Sequence, residues 1–284
     1  MKKARLLFGS LVAGLMASSM GYADESKMTV TQVAGQVYAL QGVSGGNIGV
    51  LATEKGLMLV DDKYGKYAQD IEQAMKSIAD KPLKYVVNTH YHGDHTGSNS
   101  YFSHKAPIFA HENVRNRLAN DDKLTEDALP VVTYEHGIKI FLEKEEVQLT
   151  HLPGGHTDSD TVVYFKQANV LHTGDLFFEV GFPYVDLKGG GTVQGYLDNV
   201  NYMINTYPDD VKVIPGHGVI TDKAGLRKFA KMIAESMALV KSSLDKGMTE
   251  QEIITQGVAQ EYKSLSWNFI TEERWLKTLV TDLK

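Results

Sequence analysis

The stretch Asn88-Thr89-His90-Tyr91-His92-Gly93-Asp94-His95-Thr96-Gly97 places three imidazoles and one carboxylate within six residues. Imidazole nitrogen and carboxylate oxygen are the donors that suit divalent zinc and its neighbours. The apolar run Leu83-Lys84-Tyr85-Val86-Val87 comes just before and reads as a buried strand. Gly93 and Gly97 break any regular continuation, so the segment is a loop at a strand end. In a loop the side chains are not held to one face. His90 and His92 can turn to one centre while Asp94 and His95 turn to a second. A polar loop without a ligand is the poorer reading, because ten histidines serve the whole chain and three are packed here. Cysteine is absent, which removes thiolate and leaves His, Asp and Glu as donors.

Similar features recur further along. His156 sits in Pro153-Gly154-Gly155-His156-Thr157, between two β-like runs. Asp175 follows the run Val170-Leu171-His172, and His217 lies in Pro215-Gly216-His217-Gly218 after Val211–Ile214. Asp61 and Asp62 close the run Gly56–Val60. Asp61 is read either as a turn residue or as an acceptor behind the site that orients a metal-bound histidine. His104 and His111 lack ligand spacing and are expected to be solvated or hydrogen-bonded surface histidines. Phe177, Phe178, Phe182 and Tyr184 either line a pocket or pack ordinarily.

The elements that must carry these residues can be read from periodicity. Met28–Val33, Gln36–Leu40, Asn47–Thr53 and Gly56–Val60 read as an antiparallel meander with glycine-bearing turns. Apolar Ile71, Ala74, Met75 and Ile78 give Tyr67–Ala79 helical spacing. Pro107–Ala110 reads as a strand and Glu112–Ala119 as a helix. Asp121–Pro130 is polar and irregular, a candidate loop over the site. Val131–Phe141, Val147–His151, Thr161–Phe165 and Val170–His172 return to a β pattern. Phe177–Gly191 reads as a loop beside the site. Thr192–Tyr207, Ala224–Lys246, Thr249–Gln256 and Thr271–Lys284 read as helices, and Val211–Ile214 as a strand. Strands with flanking helices thus occur twice. The fold class expected is α/β (α+β), a four-layer αββα sandwich, with every polar cluster on a loop after a strand.

Residues 1–23 are set apart from this domain. Lys2, Lys3 and Arg5 head an apolar run, Leu6–Met16, too short to span a bilayer comfortably. Gly21-Tyr22-Ala23 offers small residues for a signal peptidase, so cleavage is expected after Ala23. Residues 24–284 are expected to form the mature domain, periplasmic or secreted, with no stable membrane anchor after cleavage. A net charge of -6 argues against nucleic acid as a partner and leaves a small-molecule substrate. Without disulfides, an exported chain relies on its core and any bound metal.

Taken together, His90-x-His92-x-Asp94-His95, His156, Asp175 and His217 resemble the ligand set of the metallo-β-lactamase superfamily of binuclear zinc hydrolases. The resemblance covers the whole expected mature chain. It implies two Zn2+ ions per chain: His90, His92 and His156 on the first, Asp94, His95 and His217 on the second, and Asp175 bridging. It also implies that a hydroxide held between the ions attacks the substrate and that Asp94 is the catalytic residue orienting it.

The branch of the family is less defined, because a motif fixes machinery better than substrate. The His-x-His-x-Asp-His pattern resembles B3 β-lactamases, which typically lack a bridging carboxylate. Asp175 resembles instead the glyoxalase II, lactonase and esterase-like branches. Leu176-Phe177-Phe178 follows it where lactonases usually place a tyrosine, with Tyr184 further on. The expected reaction is cleavage of an ester, lactone, thioester or cyclic amide. The alternatives are a true β-lactamase, an iron-dependent oxidoreductase of the same fold resembling persulfide dioxygenases, and a non-catalytic zinc-binding protein.

Overall fold

A computed structural model describes residues 27–284. The expected leader, residues 1–23, lies outside them. Among the described residues no helix is long and apolar enough to cross a membrane.

The chain opens with β1 (Thr29–Ala34), β2 (Val37–Gln41), β3 (Ile48–Thr53) and β4 (Gly56–Val60), a meander of antiparallel neighbours. Helix α1 (Ala68–Ile78) then crosses back, so that β5 (Leu83–Val87) lies parallel to β4. Two short helices, α2 (Gly93–Thr96) and α3 (Asn99–Ser103), lead to β6 (Ile108–His111). Helix α4 (Glu112–Ala119) and β7 (Val132–Tyr134) complete a seven-stranded sheet in sequential order. The second sheet has six strands. It holds β8 (Gly137–Leu142), β9 (Glu145–His151), β10 (Thr161–Phe165), β11 (Val170–His172), β12 (Lys212–Ile214) and β13 (Thr221–Asp222). Helix α5 (Val193–Thr206) connects β11 to its parallel neighbour β12. Helices α6 (Lys223–Asp245), α7 (Glu250–Gln256) and α8 (Glu272–Leu283) end the chain.

Three apolar clusters define the layers. Leu51, Met58, Val60 and Val87 of the first sheet meet Val147, Leu149, Val163 and Ile214 of the second. On the other face of the first sheet, Ile48, Val50, Leu57 and Leu59 pack against Ile71 and Met75 of α1. On the other face of the second, Val162, Leu171 and Val213 pack against Tyr196 of α5, Phe229 of α6 and Trp275 of α8. The order is helix, sheet, sheet, helix, as the element pattern predicts. Strands β4 and β10 are buried along their whole length because both of their faces are covered. Each fully buried aliphatic side chain there contributes about 1.5–3 kcal/mol.

Three expectations need correction. The segment after β5 is not irregular throughout: Gly93–Thr96 forms α2, so Asp94 and His95 lie on a short helix and not on a loop. Residues 121–130 do not cover a site: they pack against α3, where Asn99 Nδ2 donates to the Ala128 carbonyl at 2.8 Å. His111 is not a surface residue. It is buried, and its ring stacks on His151 at a centroid distance of 3.6 Å. His104 is exposed, as expected.

Candidate metal centre

The candidate ligands sit on loops and short helical turns that follow the C-terminal ends of the strands. The loop after β5 and the start of α2 carry His90, His92, Asp94 and His95. The β9–β10 connection carries His156, a single 3-10 turn after β11 carries Asp175, and the turn after β12 carries His217. Contacts across the two sheets hold these loops together. Asn47 N donates to the Gly216 carbonyl at 2.6 Å, and Asn47 Nδ2 donates to the Pro215 and Gly218 carbonyls, both at 2.9 Å.

The structure brings all seven residues together in two groups. His90, His92, His156 and Asp175 form one; Asp94, His95 and His217 form the other. In the first group His156 Nε2 lies 2.9 Å from His92 Nδ1, and Asp175 Oδ2 lies 3.5 Å from His156 Nε2 and 3.7 Å from His90 Nε2. In the second, Asp94 Oδ2 lies 3.6 Å from His95 Nε2 and 3.4 Å from His217 Nε2. Asp175 Oδ1 faces that group, 3.1 Å from His95 Nε2 and 3.4 Å from His217 Nε2. Ligand atoms about 2.0–2.1 Å from a tetrahedral ion stand about 3.3 Å from one another. The donors fit that spacing. His90 Nε2, His95 Nε2 and Asp175 Oδ1 are buried without a hydrogen-bond partner. Orphaned buried polar atoms that face into these two groups call for a ligand in each.

Outer partners fix which ring nitrogen faces inward. His95 Nδ1 faces Asp61 Oδ2 at 2.7 Å, and His90 Nδ1 faces Thr89 Oγ1 at 3.1 Å. Thr89 Oγ1 in turn donates to Asp61 Oδ2, and Thr89 N donates to Asp61 Oδ1. His156 Nδ1 faces the Tyr184 carbonyl at 2.7 Å, and His92 Nε2 faces Asp186 Oδ2 at 3.1 Å. With the outer nitrogen donating, the inner one carries a lone pair, which is the tautomer a metal needs. Of the two readings of Asp61, the acceptor behind a histidine is the one its contacts match. Its φ of +62° costs on the order of 1–3 kcal/mol. The hydrogen bonds it accepts from Thr89 and His95 keep it there.

Charge in the cluster is divided. Burial pushes the imidazoles of His90 and His156 down, His156 to about 4. Burial would also lower His95 and His217, but the facing carboxylates outweigh it and raise both, His217 to about 9. Burial would raise Asp94, yet His95 and His217 bring it to about 2. Burial would raise Asp175 too, but the same two histidines hold it well below its usual range, so Asp94 and Asp175 are both ionised at neutral pH.

Close packing depends on missing side chains. A Cβ on Gly46 would lie 2.1 Å from His95 Cε1, and one on Gly216 would lie 2.1 Å from Asp175 Oδ1. Lys63 holds the Gly45–Gly46 turn in place: its buried Nζ donates to the Gly45 and Gly46 carbonyls at 3.0 and 2.5 Å. Sequence reasoning missed Asp186, Lys63, Gly46 and Gly216 as supports. Asp186 stands 94 positions from His92, and no spacing rule joins them.

The centre opens on one side. His92, Asp94, Asp175 and His217 form part of the wall of a cleft of about 1010 Å³. Phe178 and Tyr184 also line it, whereas Phe182 is fully buried in the core and Phe177 packs on Phe229. The four aromatics thus divide between pocket and packing.

The chain resembles known proteins in sequence and, for solved structures, in fold. Metallo-beta-lactamase IND-1 of Chryseobacterium indologenes is 28% identical over 188 residues, covering 64% of this chain and 77% of its own. An atrochrysone carboxyl ACP thioesterase of Claviceps purpurea is 25% identical over 267 residues, covering 90% of this chain and 81% of its own. The solved structure of a metallo-beta-lactamase from Pontibacter korlensis superposes with a TM-score of 0.64 at 21% identity, over 73% of this chain and 99% of that one. The family model of the metallo-beta-lactamase superfamily matches residues 41–217, from the end of β2 to the last candidate ligand. With that match and the sandwich just described, the chain belongs to the metallo-beta-lactamase superfamily, whose members are mostly hydrolases.

Proposed function

We propose that this chain is an exported binuclear zinc hydrolase that cleaves an ester, lactone, thioester or cyclic amide. The observation that carries the reading is Asp175. One of its oxygens faces the nitrogens of His90 and His156, and the other faces those of His95 and His217. A carboxylate so placed can join two cations. His90, His92 and His156 would hold one ion, and Asp94, His95 and His217 the other. The donors are nitrogen and oxygen only, as suits zinc. Three protein ligands per ion besides the bridge leave positions for water and substrate.

Bound zinc lowers the pKa of water towards about 7 and polarises a carbonyl oxygen. The protein supplies position and charge. Asp94 belongs both to the cluster and to the cleft wall. Its carboxylate, held ionised by His95 and His217, accepts a hydrogen bond from the attacking water and so aims it. Asp61 and Asp186 fix the rings of His95 and His92 from behind. The cleft admits a substrate whose scissile carbonyl rests over Asp94 and Asp175.

The similarity to a named β-lactamase favours a second reading, hydrolysis of β-lactams; the similarity to a named thioesterase extends over more of the chain and favours the first. Turnover by the zinc-loaded mature chain, measured on lactones, thioesters, simple esters and β-lactams, decides between them. Cleavage of β-lactams alone would establish the second reading. No cleavage of any class would remove both.

A further inference from the structure

The cleft above the cluster has an aromatic side that begins and ends on candidate ligands. Tyr184 stacks on His92, with centroids 5.8 Å apart and planes at 27°. Phe269 meets Tyr184 edge-on at 5.2 Å, and Trp267 lies 5.8 Å from Phe269. Phe178 lies 5.8 Å from Trp267 and stacks flat on His217 at 5.1 Å and 2°. Four rings thus form an arc from one donor group to the other. Phe269 is 47% exposed, so much of this surface faces the cleft mouth. The indole Nε1 of Trp267 donates to the Phe182 carbonyl at 2.9 Å, so the one polar atom of the arc's indole is already paired.

The charges around the arc are arranged to match. Among the described residues that line the cleft there is no lysine or arginine, and its anionic groups are Asp94 and Asp175 at the floor. The nearby cations stand outside the lining. Arg274 lies over Phe269 at 4.2 Å and Tyr184 at 5.1 Å, and its Nη1 donates to the Phe269 carbonyl. Lys66 Nζ lies over Tyr67 at 4.7 Å. Arg274 is already engaged by the Phe269 and Tyr184 rings and by the Phe269 carbonyl, so a negative group on the substrate, remote from the scissile carbonyl, would lose water at a wall whose lining holds no ammonium or guanidinium to meet it. A flat uncharged ring would gain stacked and edge-on contacts.

We propose, resting on the hydrolase reading above, that the substrate carries a neutral aryl or similarly flat unsaturated ring on the acyl side of the scissile bond. That ring seats against Tyr184, Phe269, Trp267 and Phe178. The arc selects against acyl groups that bear a remote carboxylate.

The test uses the zinc-loaded chain and three esters: methyl 3-phenylpropanoate, its para-carboxylate, and methyl propanoate. The phenyl ester should exceed both others in kcat/KM by about tenfold, chiefly through KM. Phe269→Ala, at an exposed position, should shrink that advantage by about threefold or more. In parallel, 4-phenylbutan-2-one, a neutral aryl ketone that cannot be hydrolysed, should quench Trp267 fluorescence saturably, and Phe269→Ala should weaken its binding. If the ketone binds in this way and neither these esters nor the lactones, thioesters and β-lactams of the wider panel turn over, the aryl site stands and the hydrolase reading falls. If the esters turn over with equal kcat/KM, if the carboxylate is preferred, or if Phe269→Ala leaves the preference intact, the aryl site is overturned and the hydrolase reading stands.

Discussion

At the scale of residues, the cluster separates groups that donate electron pairs inward from groups that hold them in place. Asp94 faces His95 and His217 and also borders the cleft. Asp94→Asn keeps the shape and removes the negative charge. It should lower kcat by at least about 100-fold, with far-ultraviolet circular dichroism unchanged; undiminished turnover would refute the role assigned to it. Asp61 touches His95 from the far side. Asp61→Asn should weaken zinc binding by about 10–100-fold, measured by competition with a chelating dye. The raised pKa of His217 gives a pH dependence with a defined sign. In the metal-free chain its proton is favoured by Asp175 and Asp94 up to about pH 9, against the opposing effect of burial. Its folded value lies above its unfolded value, so that stabilisation is full below about pH 6.5 and is lost as pH rises towards 9. A histidine must lose its proton to bind zinc. Zinc uptake at pH 7.5 should therefore release protons, and calorimetry in buffers of different ionisation enthalpy should detect them. The candidate ligands were legible because imidazoles and carboxylates at strand ends are few in a chain with ten histidines. Asp186 and Lys63 were not, because what they support lies far off in sequence, and an aspartate or lysine in a loop is ordinary.

At the scale of elements, strand ends set the site and glycines allow the loops to close on it. The meander, the helix before β5 and the strands β10 and β11 were legible almost to the residue, since alternation and helical spacing report burial directly. The segment 121–130 was misplaced, because polarity marks a loop without saying which surface it lies on. Nor could sequence place His111 beneath His151, a contact made across two sheets. The close approaches of glycine were also invisible, since they depend on tertiary distance. Gly216→Ala would push a methyl group into Asp175. It should cost the chain much of its metal while leaving the helical circular dichroism signal in place. Metal content after dialysis against zinc, relative to wild type, checks this; full occupancy would mean that Asp175 can yield.

At the scale of the whole molecule, each donor group draws on both sheets. The loop after β5 belongs to the first sheet, whereas His156, Asp175 and His217 follow strands of the second. Bound ions would therefore fasten the two layers of a protein that has no disulfide. At a hundredfold excess over Kd a single ion contributes about 2.7 kcal/mol. Chelation should then lower Tm by about 5–10 °C in a domain of this size, and differential scanning calorimetry measures it directly.

The count of ions bears most directly on the central claim. Elemental analysis of the purified mature chain, equilibrated with zinc and freed of excess, should return about two zinc ions per chain, and Asp175→Asn should return fewer. One ion or none in the wild-type chain, or retention of a single iron in place of zinc, would contradict a paired-cation hydrolase.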